Sequence, residues 1–159
     1  MRIGLVALLA FGLDRWSKYL VETHLSPMQV HPVIPGFFDI VRTHNRGVAF
    51  GFFDGAASQT RAIVMIAFSL SALLLLAWLL WRNRTADLMS DLAIGLIIGG
   101  AAGNIFDRIR AGAVTDFLDF YSGSYHWYTF NMADSAITVG ACLLLFGMLR
   151  RSSPAKAHA

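Results

Sequence analysis

Residues Ala62 to Trp81 run for 20 positions without a charge, closed by Arg82 and Arg84 and carrying Trp78 and Trp81 at one end. A helix rises about 1.5 Å per residue and satisfies its own backbone, so this run matches a bilayer core of about 30 Å. Tryptophans at its boundary suit the headgroup zone. That feature takes the chain out of the soluble globular classes. Composition agrees, since 56% of the 159 residues are hydrophobic and 14% charged, against about 25% charged in a soluble domain.

Three more stretches come close to spanning length: Arg2 to Val21, Leu92 to Phe106, and Met132 to Leu149, the last stopped by Arg150 and Arg151. Ile3 to Leu13 is short enough for the apolar part of a secretory signal peptide. No small-x-small cleavage pattern follows it, however, and the helical pattern continues through Asp14, Arg15, Trp16 and Lys18. Asp14 and Lys18 stand one turn apart, where opposite charges offset each other. The segment reads as an uncleaved first span.

The fold class expected is therefore a mainly α membrane protein with four transmembrane helices, over about residues 2–21, 62–81, 92–106 and 132–149. A single domain covers 1–151, and a short polar tail covers 152–159. Four spans place both termini on one side. Arg2, Arg82, Arg84, Arg150, Arg151 and Lys156 favour the cytoplasm for that side, although Arg42, Arg46, Arg108 and Arg110 opposite weaken the bias.

The two outer segments, Glu22 to Thr60 and Asp107 to Phe130, are rich in aromatic and β-branched residues punctuated by Pro32, Pro35 and Gly36. Gly36 to Thr43 and Ala113 to Tyr121 read as short strands, giving a small extracytoplasmic β-sheet. The first outer segment could lie on the surface as an amphipathic lid. The basic residues are scattered, without the aromatic interleaving of a nucleic-acid surface. Cys142, the sole cysteine, excludes a disulfide framework and a cysteine-rich zinc site and is expected to be a packing residue. The five histidines lie outside the expected spans and lack ligand spacing, so neither metal nor cofactor is expected.

Ionisable groups within a spanning segment are costly, and each raises a functional question. Gly95, Gly99 and Gly103 form a small-residue face that lets another helix approach closely. That face leads into Asn104, Asp107 and Arg108. A carboxylate near a helix C-terminus opposes the helix dipole, so Asp107 needs a cation, and Arg108 or Arg110 could supply one. Whether Asp107 and Arg108 merely end the helix or touch a substrate stays open on these residues.

The fourth span begins Phe130-Asn131-Met132-Ala133-Asp134-Ser135, which reads as an N-cap Asn with Asp at the third helical position. The same helix N-terminus would stabilise an ionised Asp134, while Asp116 arrives from an outer segment. Two adjacent carboxylates share one proton near neutral pH. One can then take a proton from water attacking a peptide carbonyl while the other donates. Such a pair needs neither metal nor covalent intermediate, but sequence spacing alone does not bring Asp116 to Asp134.

Five blocks, in order, cover nearly the whole chain: Asp14-Arg15-Trp16-Ser17-Lys18, Asn45-Arg46-Gly47-Val48-Ala49-Phe50, Gly103-Asn104-Ile105-Phe106-Asp107-Arg108, Val114-Thr115-Asp116-Phe117, and Phe130 to Ser135. Together they resemble the lipoprotein signal peptidase (signal peptidase II) family. The resemblance implies a bacterial inner-membrane aspartyl peptidase that cuts prolipoproteins before a cysteine carrying diacylglyceryl, with an active site near the periplasmic face and sensitivity to globomycin. It implies Asp116 and Asp134 as the catalytic pair and Asn104, Asp107, Arg108 and Asn131 as the polar shell; within the pair Asp134, at its helix N-terminus, is expected to be more often the ionised base. Asn45 becomes an outer-loop residue near substrate, and Asp14 and Lys18 a structural polar motif. Arg15 stands where Gln is usual and Val48 where Ala is frequent. Asp119 is expected to be a surface residue.

The alternative from another class is a non-enzymatic membrane assembly factor or small transporter subunit. Transporters tend to place ionisable groups at the bilayer midplane and to carry internal repeats. Here the acids lie near one face, and no repeat is visible.

Overall fold

The computed structural model describes residues 1–46, 63, 67 and 87–152. Among the described residues three long helices and four strands follow one another as α1 (Arg2–His24), β1 (Val30–Ile34), β2 (Phe38–Asn45), α2 (Leu88–Ala111), β3 (Val114–Ser122), β4 (Tyr125–His126) and α3 (Met132–Ser152). The expected span 62–81 lies outside the described residues except for Ile63 and Ala67, as do residues 47–60 of the supposed lid; its described part, Glu22 to Arg46, holds the end of α1 and the strands β1 and β2.

Each helix is long enough, at about 1.5 Å per residue, to cover about 30 Å. Among the described residues only α2 is both long and apolar enough to cross a membrane by those criteria. Four spanning helices therefore remain an expectation. The apolar part of α3 is Met132–Gly147, and α1 carries Arg2, Asp14, Arg15, Lys18 and Glu22.

Burial on α1 is inverted relative to a water-soluble helix. Ala10, Asp14, Lys18 and Val21 face inward, with Asp14 and Lys18 at 0% exposure, while Leu8 is 70% exposed and Trp16 61%. Helices whose charges point inward and whose leucines point outward suit an apolar solvent. Cys142 belongs to the outer surface as well: it is exposed, which corrects the expectation of a packing role.

The small residues of α2 do bring the helices together. An added Cβ at Gly95 would lie 2.6 Å from Val6 Cβ of α1, and one at Gly100 would lie 2.5 Å from the Ala133 carbonyl oxygen of α3. At Gly103 it would strike the Asp14 carboxylate. Helix α2 is thus the central element, with α1 on one small face and α3 on another. Its ends are capped: Asp87 accepts from the Ser90 N–H at 2.6 Å. Gly112 takes a left-handed φ of 69° and donates to the Arg108 carbonyl at 3.0 Å, a conformation glycine adopts without steric cost.

Gly112 turns the chain directly into β3. The four strands form a sheet in the order β1-β2-β3-β4 with antiparallel pairing. The expected strands at 36–43 and 113–121 correspond to β2 and β3, and the structure adds the edge strands β1 and β4. Register between β2 and β3 slips between Ile40 and Thr43, a bulge that sets Val41 and Arg42 against Phe117 alone. The Phe117 N–H turns instead to the Phe130 carbonyl at 3.0 Å, which also accepts from Leu118 at 2.8 Å. Phe120 stacks between Phe38 and Phe130, with centroids 4.5 and 5.9 Å away. This pinning of Phe130 to β3 sets the start of α3 beside Asp116.

Candidate active site

Asn131 organises the junction of β3, α2 and α3. It is fully buried, and its Oδ1 accepts from the Asp134 backbone N–H at 2.9 Å, the N-cap geometry expected from sequence. A backbone N–H can only donate, so the other end of the amide must be Nδ2. That nitrogen donates to Asp116 Oδ1 at 2.6 Å and to Asn104 Oδ1 at 3.3 Å. Asn104 Nδ2 in turn donates to Asp134 Oδ1 at 2.7 Å. Two carboxylates from different parts of the chain are thereby joined through two amides.

Asn45 completes the cradle. Expected in an outer loop, it is instead the last residue of β2, and its Nδ2 donates to Asp116 Oδ2 at 3.0 Å. Asp116 thus accepts an amide on each oxygen and is 2% exposed. Burial pushes its carboxyl up to about 6 from 3.8; the Asn45 and Asn131 hydrogen bonds and the Lys18 charge oppose that rise, while the Asp134 charge adds to it. Among the described residues Asp134 Oδ2 accepts no hydrogen bond from the protein.

Behind the pair lies a buried charge cluster. Lys18 Nζ is 2.9 Å from Asp14 Oδ2, 2.7 Å from Asp107 Oδ2 and 3.2 Å from Asn104 Oδ1. Its approach to Asp107 is an ion pair without hydrogen-bond alignment, which leaves that oxygen without a hydrogen bond. Arg15 pairs with the other oxygen of Asp107, and its guanidinium sits 4.8 Å from the Phe106 ring centroid. The cations that neutralise Asp107 thus come from α1, not from Arg108 or Arg110 as the local sequence suggested. Arg108 donates to its own helix at the Asn104 carbonyl, 3.3 Å away, and feels the charges of Asp134, Asp116 and Asp107. Arg110 reaches Glu22 at 3.7 Å.

Asp119 also departs from expectation. It is 7% exposed, not a surface residue, and its Oδ2 lies 2.9 Å from His126 Nδ1, whose ring stacks on Tyr121 at 4.8 Å. This contact holds the short strand β4 beside a cavity of about 610 Å³ that Asp116 lines, together with Thr43, Asn45, His126, Trp127 and Tyr128. Asp134 does not line it. The sequence reading missed Arg15 and this aromatic wall; the run Tyr125-His126-Trp127-Tyr128 was the available signal. Among the described residues no three His, Cys, Asp or Glu side chains converge as a metal site requires.

The fold agrees with that of solved proteins the chain is similar to. Residues 6–150 match the family model described as signal peptidase (SPase) II. The lipoprotein signal peptidase of Solibacter usitatus (strain Ellin6076) is 52% identical over 145 residues, covering 91% of this chain and 88% of that one. That of Syntrophus aciditrophicus (strain SB) is 43% identical over 148 residues, covering 93% and 89%. Two solved structures, each described as a bacterial membrane enzyme, superpose with TM-scores of 0.76. One is 30% identical and covers 98% of this chain and 92% of its own; the other is 28% identical, with 92% and 91% covered. These likenesses run the length of the chain, and it belongs to the signal peptidase II family of bacterial membrane proteases.

Proposed function

We propose that this protein removes signal peptides from bacterial prolipoproteins by a two-aspartate hydrolysis, cutting before the diacylglyceryl-modified cysteine. The observation that carries the reading is Asn131, which accepts from the Asp134 backbone and donates to the Asp116 carboxylate. Asp134, at the N-terminus of α3, is the base. Its free Oδ2 takes a proton from water as the water oxygen attacks the scissile carbonyl carbon. Asp116 holds the pair's shared proton, because burial outweighs its amide hydrogen bonds. That proton passes to the departing nitrogen as the C–N bond breaks, and the proton gained by Asp134 restores the pair.

The cavity beside Asp116 receives the peptide, while signal segment and acyl chains stay in lipid. The topology that fits is four spans with both termini cytoplasmic and the aspartates near the outer face. Family membership further supports inhibition by globomycin. The test uses purified protein with a diacylated prolipoprotein and two variants, Asp116→Asn and Asp134→Asn. Each is expected to lose cleavage by about 10³-fold or more while remaining folded in the membrane. Cleavage retained by either variant would overturn the mechanism, and a folded wild-type protein that cleaves nothing would favour an assembly factor.

A further inference from the structure

Lys18 and Asp14 are both at 0% exposure, and neither acts in the hydrolysis just described. A buried ion pair is a poor way to gain stability, since apolar residues of similar volume often serve as well or better. Its value is better sought in what it orients. Lys18 carries only donors, so the Asn104 atom 3.2 Å from its Nζ must be the amide oxygen. The amide nitrogen is then turned toward Asp134 Oδ1 at 2.7 Å. Without the ammonium, Asn104 Oδ1 would keep only the 3.3 Å hydrogen bond from Asn131. The partner of Lys18 works on the same target from another direction. Asp14 Oδ2 meets the ammonium at 2.9 Å, and its Oδ1 accepts from the Ala133 N–H at 2.9 Å. Ala133 immediately precedes Asp134, so this carboxylate of α1 clamps the first turn of α3.

We propose that Lys18 is a positioning residue for the aspartate pair, fixing the Asn104 amide so that Asp134 Oδ1 is held as an acceptor and Oδ2 is left for water, while Asp14, paired with the same ammonium, anchors the backbone ahead of Asp134. The inference rests on the two-aspartate reading. It is electrostatic as well as steric: Asp116 is faced by Asn45 from β2, Asn131 and Asp134 from the start of α3, Lys18 from α1 and Arg108 from α2. Removing Lys18 takes away a cation that favours the ionised form of Asp116.

The experiment compares Lys18→Met, the charge-balanced double variant Asp14→Asn/Lys18→Met, Asp116→Asn and Asp134→Asn as purified full-length proteins. Kinetics use a diacylated prolipoprotein, normalised to folded protein. Loss of positioning lowers kcat by about tenfold to a hundredfold, leaves KM within about twofold, and moves the descending limb of the pH profile toward alkaline pH. The double variant serves if Lys18→Met does not fold, and the same kcat loss is expected of it. Wild-type kcat per folded molecule with an unmoved limb overturns the proposal while inactive aspartate variants leave the two-aspartate reading intact. Activity in either aspartate variant overturns both.

Discussion

Replacing Asp116 by Asn should change how the protein's stability depends on pH, by an amount the structure sets. The Asp116 carboxyl is 2% exposed, and burial, assisted by the charge of Asp134, pushes it up to about 6 from 3.8 against the opposing Asn45, Asn131 and Lys18 interactions. A displacement of about two pH units, at about 1.4 kcal/mol each, is about 3 kcal/mol. The folded state binds this proton more tightly than the unfolded state does. The contribution to stability is therefore fully present below the unfolded value near 3.8 and is lost as pH rises through about 6. Asparagine cannot titrate and escapes that loss. It also leaves one of the amide donors from Asn45 or Asn131 facing a second amide NH2 donor in place of an acceptor, which costs about 1 kcal/mol at every pH. Thermal unfolding in detergent, on wild type and variant at pH 4 and pH 7.5, separates the two effects. The gap in Tm between variant and wild type should move in the variant's favour on going to pH 7.5, by about 5–10 °C in a chain of this size, since about 2.5 of the 3 kcal/mol is still present at pH 4. A gap of the same size at both values would refute the claim that the folded protein holds a proton on Asp116.

The same carboxyl should mark the activity profile: kcat/KM for a diacylated prolipoprotein is expected to be bell-shaped, its descending limb near pH 6 in the free enzyme, and a flat profile from acidic to neutral pH would contradict a shared proton. Gly100→Ala places a methyl 2.5 Å from the Ala133 carbonyl oxygen and 2.9 Å from Ile137 Cγ1. It should destabilise by about 1–3 kcal/mol, whereas Gly4→Ala, with nothing within 4 Å, should be neutral or stabilise by about 0.5–1 kcal/mol; denaturation midpoints of the two variants decide this.

Much of the fold is legible because bilayer and backbone impose strong local rules. Apolar length predicts helices at about 92–106 and 132–149, inside the observed 88–111 and 132–152, runs of β-branched and aromatic residues predict β2 and β3, and Asn131 with Asp134 three residues on predicts the cap. The small face at Gly95, Gly99 and Gly103 announced close packing, and an added Cβ would indeed meet α1 at each position. The edge strands carried weaker signals: β4 has two residues, and β1 is interrupted by Pro32.

What the sequence determined by itself is the kind of molecule and the types of residue its chemistry needs, since chain length against bilayer thickness, capping and motif order are local properties. What only the tertiary structure decided is partnership. Asp107 takes its cations from Arg15 and Lys18, 92 and 89 positions away, and not from the arginines beside it. Asp119 turns inward to His126, and Asp116 is joined to Asp134 through Asn131 and Asn104 because Phe130 is pinned to β3. A buried charge selects whichever opposite charge or donor the packing brings within about 3 Å, and that neighbour is fixed by how helices and strands cross, which no spacing along the chain encodes.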